Sequence, residues 1–82
     1  MGSAYPLTGR SILVVEDEPL ISLEMTALFQ SAGASVLSAM NLSAAIALTA
    51  APALSAAIVD YGLGVEKVQI ICAHLAERGV PV

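Results

Sequence analysis

Residues 56–64 indicate the fold most clearly, with the sequence Ala56-Ala57-Ile58-Val59-Asp60-Tyr61-Gly62-Leu63-Gly64. Its short apolar run is typical of a strand that is buried on both faces of a parallel sheet. Asp60 follows that run directly, so we predict that it lies at the carboxyl end of the strand. Ligands of open α/β sheets bind at this edge. The sequence therefore indicates a candidate binding or catalytic carboxylate at residue 60.

Predicted strands and helices alternate along the rest of the chain. We expect strands at 11–15, 34–39 and 56–60, and the opening of a fourth strand at 80–82. We expect one helix at about 19–32, a second that begins at a cap at Asn41 or Ser43 and runs to about 51, and a third at about 65–78. This alternation predicts a parallel sheet with right-handed crossovers. We expect residues 1–9 to form a flexible leader and residues 10–82 to form the domain.

The first predicted helix has recognisable start signals. Pro19 suits a first turn, where its missing N–H costs nothing. Asp17 or Glu18 is expected to cap the helix and to oppose its dipole. Helical spacing predicts one apolar face, consisting of Ile21, Met25, Leu28 and Ala32.

Composition excludes several classes of protein. The chain has 82 residues, 57% of them hydrophobic, 12% charged and a net charge of −4. These values predict one folded domain and argue against disorder and nucleic-acid binding. A single cysteine, Cys72, excludes an intramolecular disulfide and fits the reducing cytoplasm. Polar residues interrupt the stretch between Glu24 and Asp60, which argues against a membrane span.

A second acidic segment, Glu16-Asp17-Glu18, follows the first predicted strand. If strands one and three are neighbours, their carboxyl ends bring Glu16, Asp17 and Asp60 together. Clustered carboxylates repel one another unless a cation neutralises them, and oxygen ligands suit Mg²⁺. An aspartate can also act as a nucleophile that forms an acyl phosphate. These residue types therefore point to magnesium-assisted phosphoryl transfer.

Two segments match one known pattern, and they are Ile12-Leu13-Val14-Val15-Glu16-Asp17-Glu18-Pro19 and Ala57-Ile58-Val59-Asp60-Tyr61-Gly62-Leu63-Gly64. Together they resemble the receiver domain of two-component response regulators. This is the CheY-like family, whose fold is flavodoxin-like. The resemblance covers about residues 11–82. It implies a switch that a histidine kinase or a phosphotransfer protein phosphorylates, and not a turnover enzyme.

The resemblance also implies a role for each matching residue. Asp60 matches the phosphoacceptor, and Asp17 matches the direct Mg²⁺ ligand. Glu16 matches the other acidic position, which acts through water, and the backbone carbonyl of Gly62 matches a further Mg²⁺ contact.

Two parts of the family pattern have no counterpart. The Ser or Thr that ends strand four and the Lys of strand five would both follow Val82, and Lys67 on the third helix does not replace them. We therefore expect a receiver that is incomplete at its carboxyl end, with a bare edge on strand three. Bare edges favour association, so we expect a homodimer or a swapped assembly that covers this edge.

Two alternatives to phosphorylation remain at this point. A pseudo-receiver would use the same fold as a non-phosphorylated interaction module. A metal-dependent hydrolase with an aspartate nucleophile would place a second Asp two residues after Asp60, but Gly62 occupies that position.

Overall fold

The computed structural model describes residues 5–82, and it shows an α/β fold with a three-stranded parallel sheet and three α-helices. In chain order the elements are β1 (Ser11–Val15), α1 (Pro19–Ser31), β2 (Ser35–Ala39), α2 (Leu42–Thr49), β3 (Ala56–Val59), a 3₁₀ turn (Tyr61–Leu63) and α3 (Val65–Glu77). The predicted alternation of three strands and three helices is confirmed. Within the described part of the chain, no helix is long and apolar enough to cross a bilayer.

The strands lie in the order β2-β1-β3, and both pairings are parallel. Ser11 lies opposite Ser35 of β2, and Ile12 lies opposite Ala56 of β3. The central position of β1 explains its unbroken apolar run, because residues 12–15 are at most 7% exposed although they alternate between the two faces. The predicted adjacency of strands one and three is confirmed.

Helices cover the two faces of the sheet unequally. On one face, α2 and α3 pack over Leu13 and Val15 of β1, and α3 buries Ile71 and Leu75 there. On the other face, α1 packs over Val14 and its neighbours in the second core cluster. One face therefore carries two helices and the other carries one.

The buried face of α1 differs from the predicted apolar face. Ile21 is 46% exposed and Leu28 is 66% exposed, whereas Ser22 is buried. Ser22 occupies this position because its hydroxyl pairs with the Ser38 hydroxyl of β2 at 2.9 Å, which satisfies a buried polar group. The predicted apolar face therefore only partly coincides with the buried one, because Met25 and Ala32 are half-buried whereas Ile21 and Leu28 are exposed.

The two ends of the described chain both contact the sheet layer. Near the amino end, the Leu7 N–H donates to the Ala32 carbonyl at 2.8 Å, and Leu7 packs against the α1-side core. Residues 1–4 of the predicted leader lie outside the described residues. Near the carboxyl end, Val80 is buried and the Ala57 N–H donates to the Pro81 carbonyl at 2.9 Å. Residues 80–82 are not a regular strand, but they lie beside β3 where the sequence predicts strand four.

Candidate metal centre

Backbone hydrogen bonds hold the two strand-end carboxylates at one edge of the sheet. The Glu16 N–H donates to the Ala39 carbonyl of β2 at 3.0 Å. The Asp60 N–H donates to the Val15 carbonyl of β1, also at 3.0 Å. The strand pairing thus continues one residue beyond β1 and β3, and it fixes the backbone positions of Glu16 and Asp60.

The carboxylates of Glu16, Asp17 and Asp60 form one cluster. Each offers an oxygen, and these oxygens all lie within 4.8 Å of one another. Glu16 is only 3% exposed, Asp60 is half-buried and Asp17 is exposed. The structure therefore brings together the three carboxylates predicted from the sequence. A ligand arriving from solvent would meet Asp17 and Asp60 before Glu16.

Glu18 contributes to the cluster through its backbone, which the sequence did not reveal. Glu18 stands at the cap position of α1, but its side chain makes no capping hydrogen bond. Its N–H instead donates to Glu16 Oε1 at 3.0 Å. The predicted side-chain cap is therefore wrong for Glu18, and this backbone contact orients the Glu16 carboxylate.

Opposing influences set the ionisation of Glu16. The hydrogen bond from the Glu18 N–H lowers the pKa of its carboxyl. Burial, a hydrogen bond that the protonated carboxyl can share with Asp60, and the negative charges of Asp60 and Asp17 all raise that pKa. The raising effects win, so the pKa of Glu16 lies above its ordinary value of 4.5.

The turn after β3 fits closely around the Asp60 side chain. A Cβ atom on residue 62 would lie 2.6 Å from Asp60 Oδ2, so any other residue there would push the Asp60 carboxylate out of its position. Glycine at position 62 therefore allows the carboxylate to fold over the turn. Tyr61, between them in sequence, is 81% exposed. Gly62, whose carbonyl is the fourth predicted contact, thus belongs to the same turn as Asp60.

The donor set of the cluster fits a hard divalent cation. All three side chains offer anionic oxygens, which Mg²⁺ and Ca²⁺ prefer over softer metals. The groups that set the pKa of Glu16 include two other carboxylates and no basic side chain. A bound cation would offset the repulsion between these carboxylates. The cluster could therefore hold a metal ion, with Asp17 and Asp60 accessible as direct ligands and Glu16 behind them.

We predict that Glu16→Gln stabilises the metal-free chain at neutral pH. Because the folded-state pKa of Glu16 is raised, its stabilising contribution is complete below about pH 4.5 and is lost as the pH rises through the folded-state pKa. Glutamine keeps an oxygen for the Glu18 N–H but cannot ionise. Urea unfolding in EDTA should therefore show a variant that is more stable than the parent at pH 7, with a difference that shrinks towards pH 4.

The exposed Glu77→Gln on α3 serves as a control for the loss of one negative charge. A Glu16→Gln variant that is less stable than the parent at pH 7, or a difference independent of pH, would contradict the prediction.

No protein-family model matches this chain, and no curated protein sequence matches it either.

Proposed function

We propose that this chain is a CheY-like receiver domain with a flavodoxin-like fold, and that it accepts a phosphoryl group on Asp60. One observation carries the proposal: three carboxylates from two separate loops lie within 4.8 Å of one another at the carboxyl edge of a parallel sheet. The order β2-β1-β3, with β1 in the middle, is the first part of the flavodoxin-like order.

Asp60 is the best placed of the three residues to act as the nucleophile. It follows β3 directly, and its side chain is half-buried. Glu16 is nearly inaccessible, and Asp17 is exposed, two residues beyond the end of β1. Partial burial limits competition from water, while the exposed part of the Asp60 side chain admits a phosphodonor.

The proposed reaction transfers one phosphoryl group to the chain itself. An oxygen of the ionised Asp60 carboxylate attacks phosphorus and forms a new P–O bond. The bond from phosphorus to the donor breaks, and its electron pair leaves with the donor. A phosphohistidine donor releases imidazole, which takes a proton from solvent. The product is an acyl phosphate on Asp60, so the chain acts as an acceptor and not as a turnover enzyme.

Mg²⁺ is the cation we propose for the cluster. Asp17 and Asp60 would hold it directly, the Gly62 carbonyl would contribute a further oxygen, and Glu16 would act through water. When bound, Mg²⁺ supplies positive charge that offsets the charge of the carboxylates and of the incoming phosphoryl group. The chain's own contribution is to hold the acceptor oxygen in place through the Asp60 backbone hydrogen bond and the tight turn at Gly62.

The proposed partner is a sensor histidine kinase or a phosphotransfer protein, and the proposed output is a conformational switch. Phosphorylation would stabilise one of two conformations of the domain, as in other population-shift mechanisms.

The test is intact mass spectrometry of the whole chain after incubation with acetyl phosphate and Mg²⁺. We expect an adduct of one phosphoryl group that EDTA prevents and that hydroxylamine removes, because hydroxylamine cleaves acyl phosphates but not phosphate esters of Ser or Thr. An adduct stable to hydroxylamine would contradict Asp60 as the acceptor. Absence of any adduct would favour the alternative function, a pseudo-receiver that serves as an interaction module.

A further inference from the structure

Gly62 differs in backbone conformation from the other glycines that the structure describes. The other four all have a positive φ, between 69° and 104°, and they are Gly9, Gly33, Gly64 and Gly79. Side chains rarely adopt that region, so glycine suits those four positions. Gly62 lies inside the 3₁₀ turn Tyr61–Leu63 and has no positive φ. The backbone of the turn therefore does not require glycine at position 62.

The Asp60 side chain is what excludes a side chain from position 62. Apart from the adjacent residues, the three atoms nearest to a Cβ atom there all belong to Asp60, with Oδ2 at 2.6 Å, Cγ at 3.4 Å and Oδ1 at 3.8 Å. An ordinary van der Waals contact begins at 3.4 Å, so Oδ2 would have to move by about 0.8 Å. This oxygen is the free end of a side chain, so it can move while the backbone stays in place.

A movement of this size is large for the carboxylate cluster. Asp60 is the member that β3 supplies, whereas Glu16 and Asp17 both follow β1. Their oxygens lie within 4.8 Å of one another only while Asp60 keeps its present orientation. Mg²⁺ binds oxygens at about 2.0–2.1 Å in nearly ideal octahedral geometry, so it tolerates misplaced ligands poorly. A reacting group that is misplaced by about 1 Å can slow a reaction by about 100-fold.

Glycine at position 62 also lowers the stability of the fold. Glycine has more conformational freedom in the unfolded chain than alanine has, and it loses that freedom on folding. Alanine at a position whose backbone conformation it can adopt is therefore stabilising. Position 62 meets that condition, because the turn has no positive φ there and the contact with Asp60 is with a movable oxygen.

We propose that Gly62 is a positioning residue for Asp60. The missing side chain at position 62 leaves the space in which the Asp60 carboxylate lies, and this keeps an Asp60 oxygen within 4.8 Å of those of Glu16 and Asp17. The inference rests on the proposed function for the consequences of that orientation, which are metal binding and phosphoryl acceptance. It is separate from the contact of the Gly62 carbonyl with Mg²⁺, because every residue has that carbonyl.

Gly62→Ala tests the proposal in the whole chain, because it adds one methyl group and no charge. Urea unfolding in EDTA at pH 7 should show a folding equilibrium constant that is about two- to fivefold higher than that of the parent. In the same variant, Mg²⁺ affinity from thermal unfolding should fall by about tenfold or more. The rate of adduct formation with acetyl phosphate should fall by about 100-fold.

Gly64→Ala is the matched control in the same loop. A side chain at position 64 is strained because φ is +104°, but a Cβ atom there would meet no atom within 4 Å. We therefore expect this variant to be less stable than the parent. Its Mg²⁺ affinity and its rate of adduct formation should match those of the parent. Far-UV circular dichroism checks that both variants are folded under the conditions of the assay.

The two variants should thus show opposite patterns of stability and site function. A Gly62→Ala variant that is less stable than the parent in EDTA would mean that the backbone of the turn needs glycine, and it would overturn the proposal. A Gly62→Ala variant that binds Mg²⁺ and accepts the phosphoryl group as the parent does would also overturn it. The comparison of stabilities needs neither Mg²⁺ nor a phosphodonor, so a parent that forms no adduct counts against the proposed function and leaves that comparison decisive for Gly62.

Discussion

Asp60→Asn is expected to abolish the hydroxylamine-sensitive phosphoryl adduct. Asparagine has nearly the same shape as aspartate, so the backbone hydrogen bond from residue 60 to Val15 and the close approach to Gly62 can both persist. What the variant loses is the anionic oxygen that attacks phosphorus, because an amide is a far weaker nucleophile than a carboxylate. The expected change is therefore from a detectable adduct to none, at equal phosphodonor and Mg²⁺ concentrations.

Two measurements make this result specific. Glu18→Gln removes an exposed carboxylate next to the cluster without changing the backbone N–H that Glu16 uses, so this variant should still form the adduct. Urea unfolding of Asp60→Asn checks that the fold is retained, and we expect a metal-free stability equal to or above that of the parent, since one of three clustered charges is gone. An adduct of unchanged yield on Asp60→Asn would show that another residue accepts the phosphoryl group.

Local patterns were sufficient to predict where the cluster forms. The apolar run before Glu16 and the apolar run before Asp60 both identify strands that end at a carboxylate, and neighbouring parallel strands must end at the same edge. Asn41 was one of the two predicted caps for α2, and its Oδ1 accepts the Ala44 N–H at 2.8 Å. Each strand end and each cap depends on residues close in sequence, so a sequence pattern predicts them well, whereas the adjacency of β1 and β3 was assumed from the usual order of strands in doubly wound sheets.

Features that depend on packing were not predictable in the same way. The apolar face predicted for α1 through Ile21 and Leu28 assumes that all apolar residues face the core, but α1 lies over β1 and β2, where Ser22 can pair with Ser38. Likewise, the burial of Glu16 follows from the elements around it and not from its neighbours in sequence.

Asp17→Asn is expected to weaken Mg²⁺ binding by about 100-fold or more. Changes in the outer shell of metal sites already cost roughly 10- to 100-fold in affinity, so the loss of a direct ligand should reach at least the upper end of that range. Asp17 is also the most exposed member of the cluster, which means that its substitution removes a ligand with little effect on packing. Glu16 and Asp60 would remain and would still repel one another, so weak binding should persist.

The midpoint of thermal unfolding as a function of Mg²⁺ concentration measures this affinity. A ligand that binds only the folded chain stabilises it by RT ln(1 + [Mg²⁺]/Kd), so the shift in midpoint reports Kd. Glu77→Gln also removes one negative charge, but from α3, far along the chain from the cluster. This variant should bind Mg²⁺ with the affinity of the parent. Equal losses in the two variants would mean that the cation responds to net charge alone. A loss confined to Asp17→Asn, together with an intact but slower adduct on Asp60, would separate the role of the metal ligand from that of the nucleophile.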